Sequence, residues 1–271
     1  MRPIVALLTD FGTRDYYVGA VKGAILTACP DAQLVDVTHH IAPQDVSEGA
    51  FTLGACYRVF PPDTVFVAVV DPGVGTARRA VALEAGGYRF VSPDNGILSL
   101  VIADHPVLAL HEIVNSGLFR SRVSHTFHAR DVFGPVAGHL ARGAPLGLVG
   151  PVVRDPVVLP VPKATRDSRG EWHAEIIHQD RFGNLTTSLR RAELESILEE
   201  AGGDAGAIVI AVGEVQLPLV RTYGDINEGA PCALLGSSER LEIGVNRGSA
   251  AAVLGLGNGA PVTVRPAGVV L

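Results

Sequence analysis

Apolar and polar positions along the chain fall into two successive textures. Residues 4–8 are all apolar, and the polar stretch Thr9-Asp10-Phe11-Gly12 ends the run. Val18, Val21, Ile25, Leu26 and Cys29 then recur at helical spacing until Pro30, which cannot continue a helix. Residues 33–37 read as a second strand. Asp45-x-x-Glu48 has the form of a capping box and predicts a helix to about Phe60, where Pro61-Pro62-Asp63 breaks it. Residues 64–70 are a third apolar run. This strand–helix–strand–helix–strand order predicts a mostly parallel sheet with right-handed crossovers, flanked by helices. Two short strands around Gly86-Gly87 predict a hairpin. Ser92-Pro93-Asp94-Asn95-Gly96 predicts a loop that opens a helix, residues 107–110 a further strand, and residues 131–141 the last helix of this half.

After Gly150 the pattern changes. Residues 151–163 hold four prolines, and residues 164–170 are polar. Beyond them the apolar runs are short and separated by turns, at residues 172–178, 185–189, 208–212, 232–235 and 262–265, with one charged helix at about 191–201. The expectation is an α/β domain over residues 1–155, a linker over 156–170 and a smaller β-rich, barrel-like domain over 171–271.

Composition narrows the function classes. Hydrophobic residues make up 47% of the 271 positions and charged residues 18%, which gives a globular chain with ample core. A net charge of -6 without a lysine–arginine cluster argues against nucleic acid and anionic membrane as partners. Cys29, Cys56 and Cys232 show no paired spacing and suit buried positions in a reducing compartment. The amino terminus runs straight into the first strand, and no apolar stretch approaches the ~18 residues that span a bilayer. A cytoplasmic protein is the expectation.

The most informative segment is VFVAVVDPGVGTARRAV, in which an apolar run stops at Asp71 and opens into a glycine-rich loop followed by Arg78 and Arg79. Open α/β sheets present their chemistry at the carboxyl ends of strands. Three other loops are polar beyond what a turn requires: Thr9 to Asp15, Ser124 to Asp131, and Asp180 to Asn184. Each has a plain structural alternative. Asp10 and Asp131 can cap helices, Asp71-Pro72-Gly73 can be only a turn, His128 can be a core histidine, and Asp180 and Asn184 can form Asx turns. There is no G-x-x-x-x-G-K-[ST], no G-x-G-x-x-G after the first strand and no G-x-S-x-G elbow. Asp10, Asp71, His39, His40, His125 and His128 are ligand types, but no H-x-x-x-H or C-x-x-C spacing supports a metal, and none is expected.

Taken together, the segments TDFGTRDYYVGAVKG, VDVTHHIAPQDVSEGA, VVDPGVGTARR, SPDNGILS, TFHARDVFGPVA, DRFGNLTTSL and SSERLEIGVNRG resemble the S-adenosyl-L-methionine (SAM) hydroxide adenosyltransferases, relatives of fluorinase and SAM-dependent chlorinase. The resemblance runs almost end to end. It implies SAM as substrate with no cofactor, and a homotrimer with active sites between the first domain of one subunit and the second domain of its neighbour. It places the hydrolytic triad on Asp71, Arg78 and His128, a ribose contact on Asp10, and methionine-end contacts on Asp15, Asp180, Asn184 and Ser238. One departure is Ala129, where the family pattern has glycine. The expected reaction is attack of water or hydroxide on C5′ of SAM, giving adenosine and L-methionine. In it Asp71 orients the water, Arg78 stabilises developing charge and His128 is the better-matched proton acceptor near neutral pH. The alternatives are a SAM-dependent halogenase on the same fold, against which the Asp71 carboxylate argues by repelling halide, and a non-catalytic SAM- or adenosine-binding protein.

Overall fold

In the computed structural model, which describes residues 2–105 and 109–267, the first apolar run forms β1 (Ile4–Thr9), followed by α1 (Tyr17–Ala28), β2 (Gln33–Thr38), α2 (Val46–Cys56) and β3 (Val65–Val69). β1 lies between β2 and β3 and is parallel to both. β4 (Ala80–Ala85) and β5 (Tyr88–Pro93) form the hairpin expected across Gly86-Gly87, and β5 continues the parallel sheet beside β3. After α3 (Ser99–Asp104), β6 (Ala109–Glu112) closes the edge against β4. Of the strand predicted over 107–110, residues 107 and 108 lie outside the described residues. The order is β2-β1-β3-β5-β4-β6, with only β4 running against the others.

Alternation along the strands gives this sheet two cores. Val5, Leu7, Val65, Val67 and Val69 face one side, where Val21 and Ile25 of α1 cover them. Ala6, Leu8, Phe66, Ala68 and Val70 face the other, against Leu53 of α2 and Val101 of α3. The last helix, α4 (Gly134–Ala141), packs on the first side and starts later than predicted, after a π-helical turn over Ala129–Phe133. Pro135 has no N–H for the carbonyl of Asp131, which takes the Arg120 N–H instead, and the Gly134 N–H reaches back to Ala129. α2 also stops earlier than its pattern suggests, passing into a 3-10 turn at Tyr57–Val59. Asp45 caps it by accepting the Glu48 N–H, while Glu48 reaches Ala42 in place of the capping residue.

The chain divides into two units, Met1–Val161 and Pro162–Leu271. Within the first, Val157 N–H donates to Asp94 and Leu159 N–H to Ser99. The second begins with β7 (Thr165–Arg166), paired to β8 (Trp172–Gln179). It continues through β9 (Leu185–Arg190), α5 (Arg191–Glu200), β10 (Ile208–Val212), β11 (Val215–Leu217), β12 (Pro231–Leu235), β13 (Arg240–Val245), α6 (Ala250–Leu254) and β14 (Pro261–Pro266). These strands form one antiparallel sheet in the order β11-β10-β14-β8-β9-β13-β12. Backbone bonds of Ala233 in β12 with Pro218 and Val220 link its two ends, so the sheet is a nearly closed barrel. Ile176, Leu185, Ile210, Ile243 and Val264 fill it, and Leu194 and Ile197 of α5 seal it.

Candidate active site

Asp71 stands just beyond the end of β3. The turn after it is tight: Val74 N–H donates to the Asp71 carbonyl, and Thr76 binds the Gly73 carbonyl through both its N–H and its hydroxyl. Gly75 sits at φ +77, and a Cβ there would lie 2.3 Å from the His125 carbonyl oxygen. Glycine at this point brings the Asp71 loop against the His125–His128 segment.

The turn returns the chain so that Arg78 faces Asp71. Nη2 lies 2.5 Å from Oδ2 and Nε 3.1 Å from Oδ1, a bidentate pair with side chains only 8% and 6% exposed. The guanidinium also donates to the Arg79 carbonyl and lies 5.3 Å over the Phe133 ring. Its Nη2 is 3.4 Å from His128 Nδ1, so the structure brings Asp71, Arg78 and His128 together. The neighbouring arginine has another task. Arg79 pairs with buried Asp94 and with Asp155, while Asn95 donates to the Val70 carbonyl and fixes the end of β3.

Burial pushes the Asp71 carboxyl above its ordinary value, against the opposing pull of Arg78, His128 and the Gly73 N–H. Burial and then Arg78 hold the His128 imidazole below its ordinary value, so His128 is neutral near pH 7. A guanidinium has only donors, so Nδ1 of His128 accepts and the neutral ring carries its proton on Nε2. The segment bearing His128 is anchored by Asp131, which is 0% exposed and accepts from Arg130, Arg120 and the Ser124 N–H. Ala129 is buried in the core below, where its methyl is taken up.

Asp71, His128 and Asp10 line one cavity of about 600 Å³ within the first unit. Asp10 Oδ2 accepts the N–H of Gln44, a non-glycine residue at φ +68. The loop carrying Asp10 is pinned from beneath by buried His39, whose ring meets Thr9 Oγ1 at 2.8 Å and Asp36 at 3.0 Å and whose carbonyl accepts the Gly12 N–H. Asp15 is exposed and does not line this cavity.

Several lining residues escaped the sequence reading. Tyr17 and Phe127 meet edge to face at 5.2 Å, Phe11 joins them, Arg130 covers Phe127, and Tyr16 stands at the rim 67% exposed. The aromatic run in TDFGTRDYYV was the available signal. Gln44 had none, because its part is played by its backbone.

The second unit holds its own cavity of about 860 Å³, lined by Asp180 and Asn184. Asp180 Oδ1 accepts the N–H groups of Phe182 and Asn184, so the Asx-turn reading of this loop also holds. Ser237 lines the cavity, whereas Ser238 does not, and its buried hydroxyl has no partner among the described residues. Tyr223 and Glu242 also line it, bonded to each other. Burial raises both, and Asp180 adds to the rise of Glu242. Among the described residues, the carboxylates and imidazole that approach within metal-ligand reach are Asp167, Glu171 and His173 on the β7–β8 hairpin; there Asp167 already takes two backbone N–H groups.

Fold and site define a protein of two units, an α/β sheet and a β barrel, with a buried acid–base cluster at a strand end. Sequence comparison carries this further. The profile of the SAM hydroxide adenosyltransferase N-terminal domain matches residues 5–150, and that of the C-terminal domain matches residues 174–263. The chain is 40% identical to the (R)-S-adenosyl-L-methionine hydrolase of Thermus thermophilus, over 97% of this chain and 99% of that one. It is 32% identical to the fluorinase of an Actinoplanes species, over 98% of both. The crystal structure of a conserved protein of Thermotoga maritima superposes with a TM-score of 0.89 at 34% identity, covering 96% of this chain and 99% of that one. The chain belongs to the SAM hydroxide adenosyltransferase family.

Proposed function

We propose that this chain is an enzyme that hydrolyses SAM to adenosine and L-methionine by attack of water or hydroxide on C5′. The observation that carries the reading is the Asp71–Arg78–His128 cluster at the wall of a cavity that also holds Asp10. Relatives at 37–40% identity named (R)-S-adenosyl-L-methionine hydrolase support it, and the (R) configuration at sulfur is part of the proposal.

The sulfonium leaves as a neutral thioether, so the leaving group needs no acid and no Lewis acid. The site must supply an oriented, partly deprotonated oxygen in line with the C–S bond. Asp71 accepts one hydrogen bond from the water and takes its proton as the C–O bond forms; its raised affinity for protons suits that task. His128, neutral with Nδ1 turned to Arg78, offers its Nε2 proton to the water oxygen. This assigns the proton to Asp71 and not to the imidazole that residue type alone favoured. Arg78 keeps Asp71 ionised and aimed. The same carboxylate makes halide a poor nucleophile here, although fluorinases are relatives.

Finer features of the proposal rest on family resemblance. Asp10 meets the ribose, and Asp180 and Asn184 meet the methionine end. A homotrimer would join the Asp71 cavity of one subunit to the Asp180 cavity of its neighbour. Three free cysteines suit a reducing, cytoplasmic location.

Incubating the purified protein with SAM and quantifying products tests the reading. Equimolar adenosine and L-methionine are expected, unchanged by EDTA and with no 5′-chloro-5′-deoxyadenosine in chloride. Binding without methionine release would leave a SAM-binding protein, and a chlorinated product would leave a halogenase.

A further inference from the structure

The barrel cavity contains a hydrogen-bonded chain whose directions are set by chemistry. Asp180 Oδ2 can only accept, so the Asn184 atom facing it at 3.0 Å is Nδ2. The same amide nitrogen lies 3.5 Å from Tyr223 Oη. Tyr223 in turn donates its only proton to Glu242 Oε1, which leaves its oxygen free to accept. Both amide protons of Asn184 therefore point into the protein. Its Oδ1 has no donor among the described residues and is the atom left for a ligand. Glu242 is 9% exposed, and its place in the network is built in. A Cβ at Gly236 would lie 2.6 Å from Glu242 Oε2, and one at Gly244 would lie 2.5 Å from the Tyr223 ring.

We propose that Glu242, acting through Tyr223, is a specificity-determining positioning residue. It absorbs the tyrosine proton and so holds the Asn184 amide with Nδ2 turned inward, which leaves Asn184 Oδ1 beside Asp180 as an acceptor for an amino group of the ligand. The inference rests on the proposed function for the identity of that ligand. SAM carries two such groups, the α-ammonium of its methionine part and the exocyclic amine of its adenine. Without the Glu242 acceptor the Tyr223 hydroxyl is free to donate elsewhere, and without the hydroxyl Asn184 Nδ2 loses its second acceptor; either way the Asn184 amide is no longer held with Oδ1 toward the cavity, and the selection for an N–H donor is lost. An unmet donor or acceptor at such a site costs tenfold or more in affinity.

The test is calorimetric binding of four probes to the wild-type chain, Glu242→Leu and Tyr223→Phe: adenosine, inosine, L-methionine, and the methionine analogue lacking its amino group. The wild type is expected to prefer the amino member of one pair by about tenfold or more, and the pair that shows this identifies which amine enters. In both variants that ratio should fall to within about threefold, through weaker binding of the amino member and not through tighter binding of its partner. A merely structural role would weaken all probes alike and leave the ratio intact, and that result overturns the proposal. Turnover of SAM with no discrimination in either wild-type pair overturns the proposal and leaves the function standing. Absence of both binding and turnover overturns both.

Discussion

Breaking the Asp71–Arg78 pair from each side gives the sharpest test of the site. The two side chains are 6% and 8% exposed and share two charge-assisted hydrogen bonds. Removing one partner of such a pair leaves an uncompensated buried charge, which costs about 3–5 kcal/mol. Arg78→Met should therefore destabilise the chain by that amount and lower the transition of the first unit by roughly 6–20 °C. Asp71→Asn strands the guanidinium instead and should cost a similar amount. The double variant buries no unpaired charge and should cost about as much as one single variant, so the coupling in a double-mutant cycle is expected to be about 3 kcal/mol or more. Denaturant unfolding of the four proteins measures it. Costs that add to within about 0.5 kcal/mol would refute the pairing. The cycle also has a catalytic arm. Arg78 is what opposes the upward push of burial on Asp71, so in Arg78→Met the carboxyl binds its proton at still higher pH. Residual kcat/KM should then lose its acid limb at higher pH than in the wild type. An unmoved limb would mean that Asp71 ionisation does not govern the rate.

The remaining predictions concern pH and the loop between the two halves of the cluster. His128 works neutral and is held below the ordinary imidazole value, so wild-type kcat/KM should persist as pH falls through the usual histidine range and decline only below it. A decline centred at or above that range would contradict the assignment. Gly75→Ala places a methyl against the His125 carbonyl at a left-handed φ, and should cost about 1–3 kcal/mol and reduce kcat by displacing the His128 segment. Full activity with unchanged stability would show that the close approach of these loops is not required.

Much of the fold is legible in periodicity. The apolar runs of β1 and β3 are buried on both faces, so they are continuous, and a carboxylate that ends such a run is conspicuous. The barrel strands are shorter, and β11 and the five-residue α6 carry too little pattern to stand out from turns. The divergent tasks of Arg78 and Arg79 were not legible at all. Adjacent and identical in type, just ahead of β4, they meet carboxylates on two different loops, Asp71 after β3 and Asp94 after β5, which only the packed sheet brings to them.

Local chemistry was decided by the chain itself: which runs are strands, where Pro30 and Pro61 stop helices, and that acidic loops follow β1 and β3. Only tertiary structure could decide which charged groups meet. His128 reaches Arg78 across fifty positions because a π turn, imposed where Pro135 withholds an N–H, and buried Asp131 aim its segment at the end of β3. Glu242 reads as one polar residue in a strand until Tyr223 and Asn184 are seen beside it. Strand and helix signals repeat every few residues and survive in one dimension. The proton affinities and hydrogen-bond directions that make a site depend on burial and on partners far along the chain, and these exist only once the chain has packed.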